Sequence, residues 1–159
     1  NRFKAEKGRG KLVREIEDLY TIIDSLIVCK FSRGVYFDAF GDLAKYYALD
    51  TGFEMTPQEL QKTGERINNL GRLANIREGF TRKDDTLPPK VMNVPIPDES
   101  ISKGAHVTQA ELNLLLDDYY ETRGWTKEGI PTLEKLKEIG LEDLGYIVKP
   151  KLEKTAKKK

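Results

Sequence analysis

Apolar residues recur along this chain at helical spacing and almost nowhere at the alternating spacing of a strand. Leu12, Val13, Ile16, Leu19 and Tyr20 share one face of a helix predicted over about 11–28, with Arg14, Glu15, Glu17 and Asp18 on the other. Its later half, Ile22-Ile23 and Leu26-Ile27-Val28, is apolar nearly all round, which predicts entry into a buried environment. A second helix is expected near 36–49, before a turn at Asp50-Thr51-Gly52. The third is the clearest. Thr56-Pro57-Gln58-Glu59 is a capping box with proline at the first helical position. Leu60, Ile67, Leu70, Leu73 and Ala74 then fall on one face, and Gly79 suits the left-handed residue that ends a helix. Leu87-Pro88-Pro89 cannot continue it, and Val91–Pro97 reads as extended linker. A second capping box at Thr108-Gln109-Ala110-Glu111 starts a helix through about Thr122, stopped by Arg123-Gly124. Pro131-Thr132 opens a short helix that closes at Gly140.

This pattern predicts an all-α fold, an irregular orthogonal bundle of about five to seven helices with no substantial sheet. Residues 1–9 should lead in loosely. Residues 10–90 form the main helical body, 98–148 a smaller C-terminal helical unit packed on it within one domain, and 149–159 a frayed tail.

Composition narrows the function classes. The 159 residues can bury a substantial core, and 38% hydrophobic with 33% charged residues is the balance of a soluble globular chain. A net charge of +1 gives no field for nucleic acid, although the tail carries six lysines and one glutamate from Lys149 to Lys159. No apolar run is long enough to cross a bilayer and no leader pattern opens the chain, so a cytoplasmic location and no membrane partner are expected. The single cysteine, Cys29, excludes an internal disulfide.

Asp24 stands in the apolar half of the first helix near its negative end, where a carboxylate is costly without a donor. Either a cation of a neighbouring helix, such as Arg66 or Arg72, pairs with it, or it accepts hydrogen bonds from a polar ligand. Cys29 is either an inert buried thiol or a ligand, and alone it cannot hold an iron–sulfur cluster. Lys30 and Arg33 beside it would favour a thiolate, or simply solvate a helix end. His106 lacks companions at metal-ligand spacing. Asp84-Asp85 beside Arg82-Lys83 suggests local ion pairs fixing the chain's exit, and Asp117-Asp118 a solvated helix face. Tyr36, Phe37, Phe40, Tyr46, Tyr47 and Phe53 are expected mostly in the core. Gly64 and Gly71, seven apart on one helix face, suggest close approach of another backbone.

The exact wording of several segments carries a resemblance. Gly64-Glu65-Arg66-Ile67, Arg72-Leu73 and the run Arg77 to Pro89 (REGFTRKDDTLPP) resemble the C-terminal region of the tungsten-dependent aldehyde:ferredoxin oxidoreductase family. So do Leu112–Tyr120 with Glu121-Thr122-Arg123-Gly124-Trp125, and Gly129-Ile130-Pro131-Thr132. Asp24 to Cys29 is similar to that family's D-x-x-G-L-[C/D] motif, with Ile27 and Val28 in place of glycine and leucine. The likeness covers roughly 10–145, and a chain opening at Asn1 then reads as the C-terminal quarter of a longer protein.

The resemblance implies an enzyme holding a tungsten bis-pterin and a [4Fe–4S] cluster, oxidising aldehydes to carboxylic acids with ferredoxin as acceptor. By this likeness Asp24 and Val28 are the cofactor-binding positions facing a pterin. Cys29 is the fourth cluster ligand, and the other three thiolates come from an upstream segment. No catalytic residue falls in this chain, and alone it should bind neither tungsten nor a complete cluster and be inactive. The implied partners are the upstream domains, ferredoxin and a second copy in a homodimer. The alternative is a non-catalytic helical scaffold or interaction domain derived from the same family. The replaced glycine leaves contacts to the pterin open to change.

Overall fold

Three threonines set where helices begin. In the computed structural model, which describes residues 5–36, 38–97, 99 and 101–156 (side chains of 33, 35 and 154–156 excepted), Thr56, Thr108 and Thr132 accept from the backbone amides of Glu59, Glu111 and Lys135. The first two are complete capping boxes, with Glu59 and Glu111 accepting back from the cap amides at 2.8 and 2.9 Å. The helices are α1 (Arg9–Ser25), α2 (Ala39–Thr51), α3 (Pro57–Arg77), α4 (Pro89–Asn93), α5 (Gln109–Arg123), α6 (Leu133–Glu138) and α7 (Lys149–Ala156). Short 3₁₀ segments lie at Lys30–Val35, Arg82–Asp84 and Glu142–Ile147. The described residues form no strand, only an isolated bridge between Trp125 and Pro131. The fold is all-α, and no helix among the described residues is long and apolar enough to cross a membrane.

α3 is the spine. Its Leu60 packs with Ile22 and Ile23 of α1 and with Leu43 and Ala44 of α2. Its other end gives Leu73 and Ile76 to a second cluster with Ile130, Leu136, Ile139, Leu141 and Val148. Each such aliphatic side chain contributes about 1.5–3 kcal/mol when fully buried. α1 lies against both α3 and α5. At these crossings the contact is backbone: a Cβ on Gly64 would fall 2.5 Å from the Asp18 carbonyl oxygen, and one on Gly10 2.6 Å from that of Asp118. Gly71 has open space, so only Gly64 of that pair answers to close packing.

Polar residues do more of the assembly than their surface-like pattern suggests. Asp18, expected on a solvated face, is 1% exposed. It takes the guanidinium of fully buried Arg123 at 2.6 Å and the Asn68 amide at 2.8 Å. Burial pushes its carboxyl up, against the opposing pull of Arg123 and Asn68. Arg123 also reaches Glu17 at 2.8 Å, and Tyr119 donates to Glu17 at 2.6 Å. Asp118, also expected to be solvated, is buried and accepts from the amides of Gly8 and Gly10. Those two amides hold its carboxyl below the usual carboxylate range. Gly8, in the lead-in expected to be loose over 1–9, is thereby pinned to α5 together with Gly10; residues 1–4 lie outside the described residues.

Further expectations change. α1 stops at Ser25 rather than Val28, and its apolar face stays half-exposed at Leu12, Val13 and Ile16 because Gly10, Asp18 and Ile22 face inward. The linker after Pro88 winds one turn as α4, with Pro89 at the first helical position. The expected frayed tail is helical over 149–156: Val148 is fully buried, Leu152 packs on its cluster and Lys151 donates to the Ile76 carbonyl. Residues 157–159 lie outside the described set. Tyr36 and Phe40 pack on the core, but Tyr46 and Phe53 are exposed, and Phe37 lies outside the described residues.

Candidate functional site

The segment that carries Asp24 and Cys29 is a tight corner. Helix α1 ends with the Val28 amide donating to the Ile23 carbonyl at 3.0 Å and the Ile27 amide to the Asp24 carbonyl at 3.1 Å. This is the Schellman arrangement, which places the residue between the two bonds in the left-handed region. The same pair of bonds ends α3 at Gly79. At α1 the left-handed position holds Ile27, φ +57°, where the resembling motif has glycine. It is the one non-glycine residue with positive φ among those described. A Cβ in that region costs roughly 1–2 kcal/mol, and β-branching adds to it. The Ile27 side chain is 93% exposed, so no packing within this chain offsets the strain. Ile27→Gly is therefore expected to stabilise the chain by about 1 kcal/mol after the larger unfolded-state entropy of glycine is subtracted. A urea midpoint that falls in this variant would contradict the strain.

Beyond the corner, Cys29 caps the 3₁₀ turn over Lys30–Val35 with extended backbone, and its carbonyl accepts from the Ser32 amide at 3.0 Å and hydroxyl at 2.6 Å. The thiol is exposed. Phe31 is 93% exposed. Val28 turns toward the Ile22 and Ile23 cluster and is half-buried, so its side chain belongs to the core. Asp24 is more exposed than its apolar neighbours suggested, because α1 ends one residue later and the helix face turns to solvent. Its partner is neither Arg66 nor Arg72 but Lys30, at 3.0 Å, and Lys30 in turn lies 5.4 Å from the centre of the Tyr20 ring. Asp24, Lys30, Tyr20, Thr21 and Asn68 line one cleft of about 350 Å³, which does not include Cys29. The Arg33 side chain lies outside the described residues.

As a donor set this corner offers one thiol and one carboxylate on an exposed edge. Among the described residues no three His, Cys, Asp or Glu side chains converge as a metal site. The set fits one wall of a site completed by other chain segments: a single cluster thiolate and a single acceptor for N–H groups. His106 is exposed, with Nδ1 3.1 Å from the Gly104 carbonyl oxygen.

The most specific stretch of sequence, 77–89, serves a different purpose. Arg72 binds Asp85 through both terminal nitrogens, at 2.8 and 2.7 Å, and donates from Nε to the Gly129 carbonyl at 2.8 Å. Its guanidinium lies 5.1 Å from the centre of the Trp125 ring, and Tyr120 donates to the same Asp85 carboxylate. Arg82 reaches Asp117 and the Lys127 carbonyl, each at 2.6 Å. Asp84 caps its own turn at Thr81. The exit is fixed as expected, but by partners on α3, α5 and the turn after it rather than by neighbours in sequence.

Comparison with known proteins follows the same lines. The family model described as "Aldehyde ferredoxin oxidoreductase, domains 2 & 3" matches residues 1–141. The tungsten-containing aldehyde ferredoxin oxidoreductases of Pyrococcus abyssi and Pyrococcus horikoshii are each 38% identical over 135 residues, covering 84% of this chain and 21% of theirs. The WOR-like subunit of an aliphatic sulfonate oxidoreductase from Pyrococcus furiosus is 30% identical over 132 residues. Those residues are 79% of this chain and 20% of that subunit. Among solved structures, the active site complex BamBC of benzoyl coenzyme A reductase with 1,5-dienoyl-CoA superposes with TM-score 0.69 at 28% identity, over 90% of this chain and 21% of that one. The chain spans about a fifth of the length of these relatives.

Proposed function

The chain belongs to the aldehyde ferredoxin oxidoreductase family, and from that premise we propose that it is the C-terminal part of a tungstopterin and iron–sulfur enzyme that oxidises aldehydes to carboxylic acids, with ferredoxin as acceptor. Its contribution is placement. Asp24 would accept from the N–H groups of one pterin, with the adjacent Val28 backbone alongside, and Cys29 would supply one thiolate to a [4Fe–4S] cluster. With Asp24 and Cys29 among their contacts, the metal centre would supply two-electron redox chemistry and the cluster one-electron transfer. This chain's residues would hold the two groups at a fixed separation on one hydrogen-bonded corner. The observation that supports the reading most is the exposure of both Asp24 and Cys29 on one hydrogen-bonded corner. The uncovered apolar residues Leu12, Val13, Ile16, Ile27 and Phe31 along α1 and its exit support burial against the upstream domains.

The test is metal analysis of the intact polypeptide. Cys29→Ser is expected to lose the iron of one cluster and its reduced-state EPR signal while keeping the fold, and iron retained at the parent level would remove Cys29 from the ligand set. Absence of iron and pterin from the intact parent protein would instead favour a non-catalytic scaffold. The likeness to benzoyl coenzyme A reductase favours a second reading of the reaction, in which the same electron path runs toward an aromatic coenzyme A thioester. Turnover of an aldehyde with oxidised ferredoxin, against turnover of benzoyl-CoA with reduced ferredoxin, separates the two.

A further inference from the structure

We infer that Lys30 is a cofactor-binding residue: with Asp24 it forms a donor–acceptor pair that reads the 2-amino-4-oxo edge of a pterin, an assignment that rests on the pterin contact proposed above. The pair lies on the wall of a cleft whose volume, about 350 Å³, accommodates a single heterocycle. Glu17, Thr21 and Asn68 of that wall already have protein partners, and Glu17 accepts from Arg123 at 2.8 Å and from Tyr119 at 2.6 Å. Thr21 donates to Asn68 at 3.0 Å and Asn68 donates to Asp18 at 2.8 Å, so both are held in place. Asp24 and Lys30 are different. Their side chains are 59% and 50% exposed, and each has capacity left after the 3.0 Å contact between them. A carboxylate accepts at several lone pairs, and an ammonium has three donors.

The edge of a pterin presents the complementary order, adjacent N–H donors followed by a carbonyl acceptor. Asp24 matches the donors and Lys30 the carbonyl. The Tyr20 ring beneath the ammonium, 5.4 Å from Nζ to centroid, restrains where Lys30 can point. An exposed ion pair of this kind contributes little to folding stability, so the fold does not require it.

The experiment uses the intact enzyme and reads pterin by fluorescence after oxidative extraction, alongside iron content and thermal midpoint. In Lys30→Met, pterin is expected to leave on dialysis about tenfold faster, the loss of one charge-assisted hydrogen bond, with iron and thermal midpoint unchanged. Lys30→Arg should restore retention. The exchange variant, Asp24→Lys with Lys30→Asp, keeps the ion pair but reverses donor and acceptor, and it should lose pterin while remaining as stable as the parent. Retention of pterin by the exchange variant would reduce the pair to a structural ion pair and overturn the inference. Unchanged retention in Lys30→Met with loss in Asp24→Asn would overturn it for Lys30 alone and leave the pterin contact standing. Retention in Asp24→Asn as well would overturn both.

Discussion

Replacing Arg123 with alanine is expected to destabilise the chain by about 3–5 kcal/mol, because it strands a buried carboxylate rather than merely removing an ion pair. Arg123 is fully buried and Asp18, at 2.6 Å, is 1% exposed. The guanidinium also holds Glu17 and the Tyr119 hydroxyl, so three side chains on α1 and α5 lose a shared donor at once. Burial already pushes the Asp18 carboxyl up, and without Arg123 nothing but Asn68 opposes that. The loss should be visible as a fall in urea midpoint. Adding Asp18→Asn to Arg123→Ala should recover part of it, since the double variant no longer buries an unpaired charge. Lys11→Ala is the control: its pair with Glu15 is exposed and 3.9 Å long, and its removal should cost under about 0.5 kcal/mol. A loss for Arg123→Ala as small as that of the control would mean that solvent reaches Asp18.

Gly64→Ala and Gly71→Ala are expected to move stability in opposite directions although they make the same change on one helix. Alanine is the better helix former by about 1 kcal/mol at either position. At Gly71 nothing lies within 4 Å of the added carbon, so Gly71→Ala should raise the urea midpoint by that amount. At Gly64 the carbon would fall 2.5 Å from the carbonyl oxygen of Asp18, 3.1 Å from its carbon and 3.2 Å from its Cα. These are backbone atoms of α1 and cannot rotate away. α1 must withdraw from α3, and Asp18 with it, which should cost about 1–3 kcal/mol net. Equal effects from the two substitutions would show that α1 and α3 are not in backbone contact at this crossing.

The comparison of sequence with structure divides along range. What is decided locally was legible. The capping boxes at Thr56 and Thr108 and the glycine stops at Gly79 and Gly124 are written within a few residues of where they act. What depends on distant partners was not. Nothing near Asp18 marks it as buried, because Arg123 is 105 residues away, and Asp118 looked solvated because the amides it caps lie 108 and 110 residues off. The end of α1 differs from its sequence pattern for a third reason. Its stop is written with Ile27, a residue that opposes the left-handed conformation, and no propensity argument places a stop there. Asp24 and Cys29 stand out in the sequence only through their likeness to a family motif. Asp24 is exposed although its apolar neighbours predict burial, since an apolar run predicts burial only as far as the helix continues, and α1 ends one residue after Asp24.

α3 also governs how the molecule comes apart. Leu60 at one end and Leu73 and Ile76 at the other tie two hydrophobic clusters to a single rod of hydrogen bonds. Neither cluster can open without fraying the element that supports its counterpart, so cooperative melting in one transition is the outcome this wiring favours. Amide protons near Leu60 and near Ile76 should then exchange with deuterium through the same rare global excursion, whereas those of Val94 and Ile96, outside both clusters, should exchange by local opening alone.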